Sequence, residues 1–116
     1  MKLFDSEIKV MEVLWGEGDC TAKYISDQLK QRIGWNMNTT YTVIKRLIGK
    51  GVVERREPNF VCHALLSKSE AQQTEAGELI DRMFDGAADK LFASLLSAKK
   101  LSPEEIRRLK EMIDGL

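Results

Sequence analysis

The chain has 116 residues, 43% of them hydrophobic and 31% charged, with 18 Lys/Arg balanced by 18 Asp/Glu. This composition describes one ordinary globular domain, or a small domain with an appendage, and excludes collagen-like, mucin-like and low-complexity classes. Apolar runs are only a few residues long, and Lys2-Leu3-Phe4-Asp5 is no apolar leader, so neither a membrane span nor a signal peptide is expected. With two cysteines, Cys20 and Cys62, the chain is expected to be cytoplasmic with reduced thiols rather than a disulfide scaffold.

The first predicted helix starts with Asp5 as N-cap and runs to about Trp15, its apolar stripe carried by Ile8, Met11 and Val13-Leu14-Trp15, with Gly16 and Gly18 as the stop. Thr21 then caps a second helix through about Arg32, with Tyr24, Ile25 and Leu29 on one face, ended by Gly34. A third helix opens near Asn36 or Asn38 and reaches Lys50. It turns Thr40, Val43, Ile44, Leu47 and Ile48 inward and stops at Gly51. Val52-Val53, a turn at Glu57-Pro58-Asn59 and the run Phe60 to Leu65 read as two strands of a hairpin.

From Ser67 onward the pattern is helical only. Ser67 and Glu70 form a capping box ahead of a long helix whose apolar face holds Leu79, Ile80, Met83 and Phe84. Gly86 allows a break, and Leu91, Phe92, Leu95 and Leu96 continue the face. Ser102-Pro103-Glu104-Glu105 starts the last helix, with Ile106, Leu109, Met112 and Ile113 on one side. The fold class is thus mainly α with a small β-hairpin wing: a winged helix-turn-helix domain over residues 1–68, then a helical dimerisation domain over 69–116. A tail that short cannot bury a core well, and its apolar faces need a cover. Since the basic half must keep a face free, a second copy is the expected cover.

Charge divides the same way. Residues 1–68 hold 11 Lys/Arg against 8 Asp/Glu, and residues 69–116 hold 7 against 10. Within residues 20–56 eight cations face only Asp27 and Glu54, a local +6. An α-helix fits the major groove of B-DNA, and the third helix points Asn38, Thr39, Tyr41, Thr42, Lys45 and Arg46 outward. Arg46 can bond guanine bidentately, and threonine methyls can pack on thymine. Arg55 and Arg56 flank the hairpin turn, where a wing meets the neighbouring DNA backbone or minor groove.

Three segments together resemble the penicillinase-repressor (BlaI/MecI) family of winged-helix transcriptional repressors. They are Glu7-Ile8-Lys9-Val10-Met11-Glu12-Val13-Leu14-Trp15, then Trp35 with Asn38-Thr39-Thr40-Tyr41-Thr42-Val43-Ile44-Lys45-Arg46-Leu47 and Lys50-Gly51, and Leu101-Ser102-Pro103-Glu104-Glu105-Ile106. The resemblance implies repression by a homodimer on a pseudo-palindromic double-stranded DNA operator. It places recognition at Thr39, Thr42 and Arg46, with Asn38, Tyr41 and Lys45 beside them. It also implies a membrane sensor-transducer metalloprotease whose signal leads to cleavage in the dimerisation domain at an Asn-Phe bond. The corresponding bond here is Ser94-Leu95, which lacks that signature, and the one Asn-Phe pair, Asn59-Phe60, falls at the wing.

Cys20, Cys62 and His63 are soft ligands, but Cys62 and His63 are strand neighbours pointing to opposite faces, and no CxxC or His cluster completes a set. No metal or cofactor is expected; the thiols are read as structural, with a reversible Cys20–Cys62 link as the alternative. One histidine and no phosphate-binding loop give no enzyme motif. The competing class is a helical protein-binding adaptor without DNA binding.

Overall fold

The computed structural model describes residues 2–116, and these form six helices and three short strands. Helix α1 (Asp5–Glu17) has Phe4, not Asp5, at its N-cap. The Phe4 N–H donates to Glu7 Oε1 at 2.8 Å, and the Ile8 N–H closes the first turn on the Phe4 carbonyl at 3.0 Å. A carboxylate three residues into a helix satisfies the cap N–H as well as a polar cap residue serves the turn, so Asp5 is free to be the first helical residue. Gly16 is helical, and α1 ends only at Gly18. Its buried stripe is Glu7, Val10, Met11, Val13 and Leu14, while Ile8 and Trp15 are half-buried.

Two residues, Cys20–Thr21, form strand β1, which periodicity does not announce. Helix α2 (Ala22–Ile33) is capped as expected, the Thr21 hydroxyl accepting from the Tyr24 N–H at 3.0 Å. Tyr24 lies on the exposed side; Ala22, Ile25, Ser26 and Leu29 are the buried face. Gly34, with φ 74, gives the left-handed turn that closes α2 and lets the chain reverse into the next helix. Asn36, rather than Asn38, caps α3 (Met37–Gly49), its Oδ1 accepting from the Thr39 N–H at 2.8 Å.

Strands β2 (Val53–Arg56) and β3 (Val61–Ala64) pair antiparallel, Glu54 opposite His63 and Arg55 opposite Cys62. β1 adds to the other side of β3, Cys20 opposite Cys62, giving the order β1-β3-β2. Phe60 belongs to the turn, not to β3: Asn59 and Phe60 have φ values of 72 and 53. Its ring stands edge-on to Tyr41 with centroids 5.8 Å apart, and the Arg55 guanidinium lies 3.7 Å from its centroid. Those contacts hold an aromatic residue in a backbone region that side chains other than Gly, Asn and Asp seldom occupy.

The core of this half joins α1, α2, α3 and the sheet through Met11, Ile25, Ile44, Leu47, Val53 and Cys62. The Trp15 indole N–H donates to the Leu66 carbonyl at 2.9 Å, fixing the chain where it leaves the wing. The Ser67–Glu70 capping box is formed, with its two bonds at 2.9 and 3.0 Å, and opens α4 (Lys68–Met83).

The chain divides into two compact units, the first reaching Thr74 and the second Glu75–Leu116. Within the second, α4 ends at a turn with left-handed Asp85 and Gly86, followed by α5 (Ala88–Ser97) and α6 (Pro103–Asp114). The α6 capping box of Ser102 and Glu105 is formed. Neither α5 nor α6 buries a single residue. No helix among the described residues is long and apolar enough to cross a membrane.

Thr40, fully buried on α3, is the one described residue whose buried side-chain oxygen finds no hydrogen-bond partner. An unmet buried hydroxyl is a cost that the isosteric valine removes. Thr40→Val is expected to raise the unfolding free energy of the full chain by about 1 kcal/mol in urea denaturation, with an unchanged m-value.

Candidate nucleic-acid interface

The outward side of α3 forms one stripe at helical spacing. Asn38, Thr39, Thr42, Lys45 and Arg46 are exposed, and the side chains of the first four have no intramolecular partner among the described residues. Tyr41 is half-buried against Phe60 and so spans the helix and the wing. Ser6, Asn36, Asn38, Thr39, Thr42, Val43 and Arg46 line an open depression of about 450 Å³. Such a surface offers donors, acceptors and methyls together, the set that base edges in a major groove can meet.

Sequence reading missed the group that positions this stripe. Glu7 is 0% exposed, yet three donors surround it. Lys50 Nζ lies 2.7 Å from Oε1, Arg46 Nε lies 3.4 Å from Oε2, and the Phe4 N–H completes the set. Lys50 also donates to the Lys2 carbonyl at 3.0 Å and sits 4.6 Å from the Phe4 ring centroid. Arg46 Nη2 reaches the Ser6 hydroxyl at 2.9 Å. A charge buried without partners costs several kcal/mol, so the two cations are obliged to stay near α1. The signal was present: positions 7, 10, 11 and 14 form an i, i+3, i+4, i+7 stripe in which only Glu7 is charged.

At the wing, Arg55 Nε pairs with Glu57 Oε1 at 2.6 Å, while Arg56 meets Asp19 at 3.5 Å and Glu54 at 3.4 Å. All of these side chains are about half-exposed. Exposed pairs of this kind contribute little, so a phosphate can displace the carboxylates with little loss. Glu57 is held below the ordinary carboxylate value chiefly by its hydrogen bond from Arg55.

Cys62 faces the core, whereas His63 faces outward with Nδ1 2.7 Å from Asp19 Oδ1, so they occupy opposite sides of β3. Among the described residues no group of three or more potential ligands could hold a metal. The thiols of Cys20 and Cys62 are register partners. Burial pushes each up to about 11, helped at Cys20 by Glu17 and Asp19 and at Cys62 by Cys20, so both are protonated near neutral pH and poor nucleophiles.

In the second unit Phe92, Leu96, Ile106, Leu109, Met112 and Ile113 come together along an apolar groove of about 390 Å³ between α5 and α6. Leu79 and Met83 are exposed on α4, and Ile80, Phe84, Leu91 and Leu95 are half-buried. Ser94 is exposed in mid-α5, its carbonyl accepting from the Ala98 N–H at 3.0 Å.

Burial acts most strongly on Glu7 and raises its pKa, but the Lys50 and Phe4 hydrogen bonds and the charges of Lys50 and Arg46 together bring it below the ordinary 4.5. A carboxyl depressed by folding stabilises the native state above its unfolded value, and that contribution disappears as pH falls through the folded one. Stability from this cluster is therefore expected to be complete near neutrality and to fade below about pH 4.5. Urea unfolding of wild type and Glu7→Gln between pH 7 and about pH 2.5 is expected to show a shallower acid decline for the variant, the difference isolating Glu7 from Glu57, Glu70 and Glu105.

Comparison with known proteins agrees with this architecture. The family model described as penicillinase repressor matches residues 3–115. The methicillin resistance regulatory protein MecI of Staphylococcus aureus strain N315 is 24% identical over 115 residues, 97% of this chain and 94% of that protein. The penicillinase repressor of Bacillus licheniformis is also 24% identical over 115 residues, covering 97% of this chain and 90% of that one. Among solved structures, monomeric Bacillus licheniformis BlaI in complex with the blaP half-operator superposes with a TM-score of 0.55 at 25% identity, over 60% of this chain and 88% of that chain. Matched along nearly its whole length, and folded in its first unit as three helices with a wing, this chain belongs to the penicillinase repressor family.

Proposed function

We propose that this chain is a transcriptional repressor that binds double-stranded DNA through α3 and the wing and acts as a homodimer. The observation that carries the reading is the unpartnered polar stripe Asn38, Thr39, Thr42 and Lys45 with Arg46 beside it, presented by a helix whose inner face is locked into the core. In this reading α3 enters the major groove, and Arg55 and Arg56 exchange their carboxylates for phosphates. Likeness to BlaI, solved with a half-operator, supports it.

The homodimer rests on the second unit. Leu96, Met112 and Ile113 are more than half-exposed along a groove with almost wholly apolar walls, and exposed apolar surface on this scale marks an interaction face. A second copy covers it symmetrically and makes binding two-headed, which favours a pseudo-palindromic site. Residues 69–116 then act as the dimerisation region and residues 1–68 as the DNA-binding region. Cleavage at Ser94-Leu95 by a metalloprotease, which the family resemblance implies, has an obstacle here. The bond lies inside α5 and is closed to a protease until that helix unwinds.

The full-length chain is expected to sediment as a dimer at micromolar concentration and to bind duplex DNA with strong salt dependence. Arg55→Ala and Arg56→Ala are each expected to flatten the salt slope by about one and to weaken all sequences alike. Arg46→Ala is expected to cost about 1–3 kcal/mol on a duplex selected from a randomised library and much less on random DNA. Fluorescence anisotropy measures all three; no binding at low salt would favour a protein-only adaptor, and a monomer would remove the dimer.

A further inference from the structure

Arg46 is tethered in an unusual way for a residue on a reading surface. A guanidinium has five N–H donors, arranged as a side fork from Nε and Nη2 and an end fork from Nη1 and Nη2. Here the side fork is occupied by two neighbours in the first turn of α1, Nε reaching Glu7 Oε2 at 3.4 Å and Nη2 the Ser6 hydroxyl at 2.9 Å. Both Nη1 protons and one Nη2 proton are left, and the side chain remains 46% exposed beside the depression lined by Ser6, Thr39 and Thr42.

Charge completes the arrangement. Glu7 has its shorter ionic contact with Lys50, at 2.7 Å, so its one negative charge is matched by Lys50 and the positive charge of Arg46 is in surplus. Lys50 is in turn fixed by the Lys2 carbonyl at 3.0 Å and the Phe4 ring, which leaves Arg46 as the outward-facing cation of the two that meet Glu7. Were Arg46 the sole partner of Glu7, that pair would carry no net charge, and the carboxylate, being buried, could not be displaced by a phosphate as the exposed partners of Arg55 and Arg56 can.

We propose that Ser6 and Glu7 are positioning residues for sequence readout: they hold the Arg46 side fork so that its end fork is pre-aimed at the O6 and N7 acceptors of a guanine. The proposal rests on the DNA-binding reading above and assigns part of its specificity to α1, a helix outside the helix-turn-helix. Holding a long side chain in its bound rotamer beforehand removes an ordering cost at the correct base, and gives nothing at a phosphate, which any rotamer can reach. The signature is therefore a change in the ratio of affinities for selected and random duplex, not in overall affinity.

The test uses the full-length chain and two probes, a duplex selected by the wild type from a randomised library and a random-sequence duplex. Ser6→Ala, half-buried and safe for folding, is expected to lower the selected-to-random ratio by about three- to tenfold while random-duplex affinity stays within about twofold. Glu7→Gln is expected to lower the ratio likewise and to strengthen random-duplex binding, because it removes a negative charge. In an Arg46→Ala background both substitutions are expected to leave the ratio unchanged within about twofold. Replacing guanines of the selected duplex with 7-deazaguanine, which lacks the N7 acceptor, is expected to weaken wild type at one position and Arg46→Ala at none. Equal losses on both duplexes, or a Ser6→Ala effect that persists without Arg46, would overturn the positioning role while leaving DNA binding intact. Failure of the wild type to bind either duplex would instead remove the functional reading and this inference together.

Discussion

A buried carboxylate on α1 sets the terms for the whole first unit. Glu7 is fully enclosed, and a charge in that environment is tolerated only when cations and hydrogen-bond donors meet it. The two cations, Arg46 in the last turn of α3 and Lys50 at its C-cap, are one turn apart, so both reach Glu7 only if α3 passes the first turn of α1 at a fixed rotation. The same rotation buries Val43, Ile44 and Leu47 and leaves Thr39, Thr42 and Lys45 outside. Apolar burial supplies most of the stability of this unit. Because it is non-directional, the ionic cluster is what selects one rotation of α3 among those with a similar apolar face.

The wing is tied to that helix by aromatic contact. Tyr41 on α3 and Phe60 in the hairpin turn meet edge-on, and Arg55 covers the Phe60 ring. The position of Arg55 thus follows from the position of α3, while Arg56, the next residue of β2, lies on the other face of the hairpin with Glu54, His63 and Asp19. A chain of zero net charge can in this way carry a strongly basic segment, since residues 69–116 hold the compensating acids.

Most of the fold was legible because its signals are local. Thr21, Gly34, Ser67 and Ser102 each cap or end a helix through bonds to residues no more than a few positions away, and all are found where cap chemistry puts them. What stayed hidden depends on contacts distant in sequence. β1 is two residues long and exists by pairing with β3; Phe60 leaves the strand because Tyr41 and Arg55 hold it in the turn; Tyr24 turns outward because Ile25 and Leu29 already fill the α2 side of the core. The N-terminus of α1 misled for a different reason, since Glu7 reaches back to serve the Phe4 N–H and makes a polar cap residue unnecessary. The outward stripe of α3 was readable from spacing alone. Its tether was not, because a charged residue within an apolar stripe looks like an interruption until its partners, some forty positions on, are in view.

In the proposed function α3 and the wing form one nucleic-acid surface whose orientation α1 fixes. The most direct measurement is a nitrogen-15 NMR titration of the full-length protein with the duplex it selects, following backbone amides and the arginine Nε–H signals. The largest changes are expected on residues 38–46, on 55–60 and on the Arg46 Nε–H, with Ser6 and Glu7 moving in step. Changes confined to residues 88–114, or a silent α3 beside a responding α2, would contradict the proposed function.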